Sequence, residues 1–437
     1  MSFNLKIMGK RVFKFGGASV KDAQSIANVA HVLKTEGHQD VCMVVSAMGK
    51  TTNAMEVVVA DYFKAKTDNK DVVEAVNQSI APVVDFHRAI IDELFGDRAD
   101  QVRADIERMF DEIVGFITWN KSLNKSFIYD QIVGYGELLS TRIISSYLAE
   151  VGIDNTWYDV RTLIKTDDSY RDATVNWEAT AEKVSSLKEA KQLIITQGFL
   201  GSDTNNFTTT LGREGSDYTA AILAYALEAS SVSIWKDVPG VLNADPRYFT
   251  DTQLLNQISY REAIELAFYG ASVIHPKTLQ PLQRRAIPLH VRSFIDLSAK
   301  GTTVTGGAAL APQVPCFIVK KNQVLLELAT QDFSFMVEQH FGKLFNLFAK
   351  YRLKVDLIQN SAISFKVCLD NRFEGIEGLL PELEAEFKVN CHKGVSLYTI
   401  RHFDEKSLNV IPRGERILVE QRTDQTLQVV TYSEQKS

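Results

Sequence analysis

Apolar residues in the first two thirds of the chain alternate between short unbroken runs and longer stretches of helical period. Residues 11–15 (Arg-Val-Phe-Lys-Phe) and 41–45 (Val-Cys-Met-Val-Val) have strand length, and the segment 23–34 between them sets Ile26, Val29, Ala30 and Leu33 on one helical face. Further strands are predicted at 156–160, 192–196, 231–235 and 288–292, each beside a helical stretch, with a helical excursion over 71–123. Continuous apolar runs bounded by turns suit a parallel sheet buried on both faces. The alternation therefore predicts an α/β domain, a parallel-sheet αβα sandwich whose ligand lies at the carboxyl ends of the strands.

The rhythm changes after residues 298–314, a stretch rich in Gly, Ala and Thr that reads as a boundary. It separates a domain over 1–300 from a C-terminal region over 315–437. The pattern there predicts a strand at 323–329, a helix at 335–351, strands at 354–359 and 364–369, a helix at 376–386 and a strand at 387–391. That order, βαββαβ, is a ferredoxin-like module. Residues 394–437 offer strands but no helix.

Composition narrows the function classes. A formal net charge of −6 over 437 residues leaves no basic footprint for nucleic acid, so an anionic substrate has to be held by locally placed Lys and Arg. Cys42, Cys316, Cys368 and Cys391 have neither paired nor CxxC spacing, as expected in a reducing cytoplasm. Residues 1–11 contain no run of signal-peptide length, and no stretch approaches the roughly 20 apolar residues of a membrane span. A cytoplasmic location, off the membrane, is the expectation.

The chemistry-bearing residues gather at strand ends. Lys14-Phe15-Gly16-Gly17 runs from a strand into a turn, where glycine amides approach phosphate oxygens and a lysine supplies charge; the same pair of glycines also serves as a plain tight turn. The segment 44–51 is no P-loop, because Val44 stands where that motif needs Gly; Ser46 and Thr52 instead flank a strand-end loop. In Gly212-Arg213-Glu214-Gly215-Ser216-Asp217 a guanidinium suited to bidentate carboxylate binding precedes a hydroxyl and a carboxylate at the head of an apolar helix; a helix N-cap is the lesser reading of Asp217. Glu137 opens another helix and suits either a substrate ammonium or the helix N-terminus itself. Asp237 and Arg247 lie in a loop after a buried strand, suited to sugar and phosphate contacts. His275 has no recognisable partner for base catalysis, and Cys391-His392 has no second pair at metal-ligand spacing, so no metal site is predicted.

In order and spacing these motifs resemble the aspartokinases of the amino-acid-kinase fold. The resemblance rests on Lys14-Phe-Gly-Gly, Ser46-Ala47 with Thr52-Asn53, Gly136-Glu137-Leu-Leu-Ser, Gly198-Phe199-Leu-Gly, Thr210-Leu-Gly-Arg213 with Gly215-Ser-Asp217, Asp245-Pro-Arg247 and Gly270-Ala with His275-Pro276, and runs from Arg11 to about Cys391. It implies transfer of the γ-phosphoryl group of ATP to the side chain of L-aspartate, a first step toward lysine, threonine and methionine, with Mg²⁺ on the nucleotide.

Several roles follow from the resemblance. Lys14, with the Gly16 and Gly17 amides, serves the transferring phosphoryl group. Arg213 takes the aspartate α-carboxylate, Glu137 its amine, and Ser46, Thr52 and Ser216 further contacts. Asp217 orders the reacting groups, and Asp237, Leu242 and Arg247 line the ATP site. The C-terminal module resembles an ACT domain with a truncated second unit. It implies a homodimer or larger homo-oligomer and feedback by an amino acid, lysine ahead of threonine, bound near Asp356 and Ser361. The sequence departs from the family pattern at Glu214, where Gly is usual, at Lys236, where Thr is usual, and at Ser272, where a nucleotide-binding Lys is usual, with Lys277 as a replacement to consider. The remaining readings are another amino-acid kinase, a bifunctional enzyme with a homoserine dehydrogenase half, which is not expected, and a non-catalytic amino-acid sensor.

Overall fold

The computed structural model describes residues 9–271, 274–332, 334–371, 374–412 and 414–433. These residues fall into two compact units. The first comprises Met1–Val241, Leu255–Ala263 and Ile274–Ala309, the second Leu242–Leu254, Ile264–Val273 and Leu310–Ser437. Segments 242–254 and 264–273 thus cluster with the C-terminal region, although they precede the Gly-rich stretch at 298–314.

In the first unit the predicted alternation is realised as β1 (Arg11–Phe15), α1 (Ala23–Glu36), β2 (Val41–Val45), α2 (Thr51–Thr67), α3 (Val72–Phe95), α4 (Asp100–Trp119), α5 (Lys125–Val133), α6 (Tyr135–Glu150), β3 (Asn155–Tyr158), α7 (Trp177–Ser185) and β4 (Leu193–Gln197). It continues through the small hairpin β5 (Leu200–Ser202) and β6 (Thr208–Thr210), α8 (Gly215–Leu227), β7 (Ser231–Lys236) and β8 (Gln257–Ser259). The helix α9 (Tyr260–Tyr269) runs from the first unit into the second, and α10 (Pro276–Arg284), β9 (Leu289–Ser293) and β10 (Thr302–Thr305) complete the series. The main sheet has the order β3-β4-β2-β1-β7-β9-β10-β8. From β3 to β9 every pair is parallel; only β10 runs against its neighbour β9.

Burial explains the unbroken apolar runs. All five residues of β2 and all five of β4 are buried. Side chains from α1 to α6 join Phe13, Met43 and Ile195 in one apolar core, while α8 packs against β1, β2 and β7 with α7 and α10 beside it. The αβα sandwich of the sequence reading is the observed architecture. Its consequence for function is that β1, β2 and β7 all end on the same edge, where their loops meet the start of α8.

The second unit is built on β11 (Cys316–Thr330), α11 (Glu338–Lys350), β12 (Lys354–Asn360), β13 (Ser364–Asp370), α12 (Ile376–Glu384), β14 (Phe387–Arg401), β15 (Arg416–Arg422) and β16 (Thr426–Tyr432). They form an antiparallel sheet of order β12-β13-β11-β14-β16-β15. The βαββαβ order is as read from the sequence, and α11 and α12 cover one face through Leu344, Phe348, Leu379 and Leu383. The sequence segments stopped short in one respect. The strands at 323–329 and 387–391 are each 15 residues long, because they continue past a bulge at Lys320–Gln323 and pair with each other along their whole length. The extension carries β15 and β16, and no α-helix follows β14 among the described residues.

Candidate active site

At the carboxyl edge of the first sheet lies a cleft of about 680 Å³. Its walls include Lys14, Ser46, Thr52, Glu137, Arg213, Ser216 and Asp217, seven residues from four separate segments of the sequence analysis. Lys14 is the penultimate residue of β1. Its ammonium meets Asp217 Oδ1 at 2.7 Å, with the Asp217 side chain only 2% exposed. Burial opposes the charged form of this carboxyl, yet the Lys14 and Lys236 ammoniums together hold it below its ordinary range. Asp217 is no N-cap: α8 begins at Gly215, behind Glu214, so Asp217 sits in the first turn with its carboxylate committed to the lysines.

Glu137 occupies the first turn of α6 and is buried. Its Oε1 accepts the Ala47 N–H at 3.4 Å, and Oε2 has no partner among the described residues. Burial pushes this carboxyl up to about 8, against the pull of the Ala47 amide and Lys14. Across the cleft Arg213 is exposed and forms no ion pair among the described residues. The unpartnered Glu137 oxygen and the open Arg213 guanidinium thus line the same cleft.

The loop that bears Arg213 is shaped by two left-handed residues, Gly212 (φ 77°) and Glu214 (φ 55°). Glu214 holds a conformation that glycine adopts without penalty, which gives a physical reason for the glycine usual at that position. Gly198 and Gly215 let the segment after β4 lie directly against the start of α8. A Cβ at Gly198 would stand 2.8 Å from Ser216 Cα, and one at Gly215 2.5 Å from the Phe199 ring. On the other side of the cleft the Gly17 Cα faces the Gly49 and Ala47 carbonyls at distances that leave no room for a side chain, and the Gly49 N–H donates to Gly17 O at 3.1 Å.

The other predicted residues are dispersed. Gly16 and Gly17 form the turn after β1 without lining the cleft, and Asp237 is exposed just past the end of β7. Leu242 and Arg247 belong to the second unit. There Leu242 bridges to Leu254, and Arg247 is held by both carboxylate oxygens of Asp245. His275 is structural, its Nδ1 accepting the Lys277 N–H to cap α10, while the Lys277 ammonium is paired with Asp172. Ser272 lies outside the described residues. Among the described residues no three His, Cys, Asp or Glu side chains gather as a metal site.

Comparison with known proteins decides the family. The model of the amino acid kinase family matches residues 9–293. The chain is 32% identical over 404 residues to the lysine-sensitive aspartokinase 3 of Escherichia coli, covering 89% of this chain and 86% of that one. The chain belongs to the aspartokinases. Aspartokinase 2 of Arabidopsis thaliana chloroplasts is likewise 32% identical, over 85% of this chain and 70% of its own. The crystal structure of E. coli aspartokinase III in complex with aspartate and ADP superposes with a TM-score of 0.78 at 29% identity, covering 97% and 96% of the two chains.

Against this family background two cleft residues escaped the motif reading. Arg171 lines the cleft in a left-handed conformation (φ 73°), its guanidinium 4.0 Å from the ring centre of Tyr129. Its N–H donates to the buried Asp130, whose carboxyl burial raises to about 6 although it also accepts the Thr210 N–H and hydroxyl. Tyr129 also lines the wall, beside Phe199 of Gly198-Phe199-Leu-Gly. Neither Arg171 nor Tyr129 lies in a Gly-rich motif. The one local signal for Arg171 was the dense polar run 166–172.

Proposed function

We propose that the cleft transfers the γ-phosphoryl group of ATP to the side-chain carboxylate of L-aspartate, giving 4-phospho-L-aspartate and ADP. The observation that carries this reading is the buried Lys14–Asp217 pair at the strand ends, beside a separate receptor made of Glu137 and Arg213. Arg213 takes the α-carboxylate with two parallel hydrogen bonds. The substrate ammonium fills the unpartnered side of Glu137, and Ser46, Thr52 and Ser216 offer hydroxyls along the path between them. With both ends held, the side-chain carboxylate is the one group left to point toward Lys14.

In the reaction one carboxylate oxygen attacks the γ-phosphorus as the bond to the β,γ-bridging oxygen breaks, and ADP leaves with that electron pair. The carboxylate is ionised near neutral pH, so no base has to remove a proton. The work left to the protein is alignment and neutralisation of the spreading phosphoryl charge. Lys14 supplies the charge, Asp217 fixes the position of Lys14, and the first-turn amides of α8 add a positive field. Mg²⁺ bound with ATP would neutralise phosphate charge, and Asp217, beside Lys14, is the carboxylate that would face it. Gly16, Gly17 and Asp237 are proposed for the nucleotide.

The second unit is proposed to bind an effector amino acid at Asp356, in β12, and Ser361, in the turn that follows, and to associate as a homodimer or larger. Asp356 is already engaged: Lys320 lies 2.8 Å and Lys354 3.6 Å from its Oδ1. An effector amine there would compete with Lys320. One relative bears on the ligand: the E. coli aspartokinase 3, or III, is named lysine-sensitive and has a crystal structure in complex with lysine and aspartate.

The catalytic reading is tested by a panel of acceptors with ATP and Mg²⁺. Aspartate should be phosphorylated, whereas N-acetylaspartate, which lacks the ammonium, and glutamate, one methylene longer, should lose at least ~10-fold in kcat/KM. Equal use of N-acetylaspartate would contradict the Glu137 assignment.

A further inference from the structure

Arg171 holds a backbone conformation that an L side chain disfavours. Its φ of 73° is left-handed, a turn that glycine makes without cost, so the turn alone gives no reason for an arginine. A strained residue in a cleft wall persists where its surroundings over-determine it, and here they fix it from two sides. The Arg171 N–H donates to Asp130 Oδ2 at 3.0 Å, and the guanidinium lies over the Tyr129 ring, 4.0 Å from its centre. Tyr129 is itself held, its hydroxyl donating to Glu56 Oε1 at 2.7 Å.

The same buried carboxylate fixes the arm that carries Arg213. Asp130 accepts the Thr210 N–H and the Thr210 hydroxyl, both at 2.8 Å, and the Ala173 N–H donates to Thr210 O at 2.9 Å. The two arms touch at Gly212, where a Cβ would stand 2.5 Å from Asp172 Oδ1 and 3.3 Å from Arg171 O. Two arginines from distant parts of the chain thus line one cleft from adjoining backbone, tied to one anchor. Asp172 is committed elsewhere, to the Lys277 ammonium. Among the described residues no carboxylate forms an ion pair with either guanidinium.

We propose that Arg171 is a specificity-determining residue of the acceptor site, binding the acceptor's α-carboxylate together with Arg213. This rests on the reading of aspartate as phosphoryl acceptor. A carboxylate offers about four lone-pair directions, and one bidentate guanidinium uses two of them. Arg213 occupies one edge of the carboxylate and leaves the other for Arg171. With its face on Tyr129, the Arg171 guanidinium keeps an edge of N–H donors for a planar anion. A site built this way demands a full negative charge at that end of the acceptor. An amide in its place sets an NH2 group against two cationic donors, a mismatch that discriminates more strongly than one missing contact.

The test uses the full chain with Arg171→Gly, which suits the left-handed backbone and removes the guanidinium, and Arg171→Lys, which keeps the charge without the fork. At saturating ATP and Mg²⁺, Arg171→Gly should raise KM for aspartate ~10–100-fold, the range for one lost charge-assisted contact, with kcat and KM for ATP little changed. Arg171→Lys should recover only part of that loss. The ratio of kcat/KM for aspartate to that for isoasparagine, whose α-carboxylate is an amide, should shrink by ~10-fold or more in Arg171→Gly. Arg171→Asn, which also tolerates the left-handed backbone, replaces Arg171→Gly if thermal unfolding finds the latter unfolded. An unchanged KM for aspartate, or a loss equal for aspartate and isoasparagine, would overturn the proposal. A fall in kcat or in ATP affinity at constant aspartate KM would put Arg171 at the phosphoryl end and overturn it likewise. Calorimetric titration with aspartate, in the presence of a non-hydrolysable ATP analogue, separates this proposal from the reading beneath it. Wild type that binds aspartate with this Arg171 dependence but does not phosphorylate it would contradict the transfer reading alone. Wild type that phosphorylates aspartate with no dependence on Arg171 would contradict this proposal alone.

Discussion

One carboxylate oxygen of Glu137 accepts an amide and the other has no partner, so this residue reports directly on what the cleft binds. Burial raises its pKa to about 8 from an ordinary 4.5. Below pH 8 the free enzyme therefore holds Glu137 mostly protonated, and a substrate ammonium must displace that proton. The sign follows: kcat/KM for aspartate should rise with pH, by up to ~10-fold per unit, and level off above pH 8, while kcat changes less. Glu137→Gln should flatten the rise. A wild-type profile flat between pH 6 and 9 would contradict the ammonium assignment. The same shift means that the substrate-free fold loses stability as pH climbs from about 4.5 to 8, because the folded state binds the extra proton across that window.

At this scale the residues in recognisable local motifs were legible: Lys14 before its glycines, Arg213 between glycines, Glu137 after Gly136. Arg171 was not legible as a member of the site. It reaches the cleft because Asp130, 41 residues away, fixes its backbone. That contact has no local trace.

At the scale of elements, the site depends on how tightly the segment after β4 lies against the N-terminus of α8. The Gly198 N–H donates to Val45 O at 2.9 Å, and the missing side chain at Gly198 is what lets Ser216 approach. Gly198→Ala would push on the Ser216 backbone, which cannot rotate away as a flexible side chain would. Stability should fall by about 1–3 kcal/mol, the usual cost of overpacking, and kcat should fall disproportionately because α8 carries Ser216 and Asp217. Chemical denaturation and steady-state kinetics on the same sample would check both; full activity in a destabilised variant would show that the start of α8 is not critical.

The main strands and long helices were legible because both have strong apolar periods. The short strands β5, β6, β8 and β10 were missed, since three or four residues carry no period. The long continuations of β11 and β14 were missed because a bulge interrupts their alternation and hid the pairing on its far side.

On the scale of the whole molecule, the proposed regulation turns on whether an effector amine can take Asp356 from Lys320. Lys320→Met would remove the 2.8 Å partner and leave Lys354, at 3.6 Å, as the remaining cation. If Asp356 is the effector anchor, half-inhibition by lysine should then occur at a concentration ~10-fold lower, and Asp356→Asn should abolish it. Sedimentation should find a dimer or larger assembly in both variants. Inhibition curves that overlay for wild type and Lys320→Met would remove Asp356 from the effector site, since a ligand shifts activity only through differential affinity for two states.

The central claim, phosphoryl transfer to aspartate at the Lys14–Asp217 edge, is tested most directly by trapping the product. An acyl phosphate reacts with hydroxylamine to give a hydroxamate, so ATP, Mg²⁺, aspartate and hydroxylamine incubated with the protein report the reaction itself. Wild type should form aspartyl hydroxamate in step with ADP, and folded Lys14→Ala should be slower by ~10²–10³-fold, the scale for removing one preorganised charge from a developing phosphoryl anion. No hydroxamate from wild type, or near-normal turnover in folded Lys14→Ala, would contradict the account.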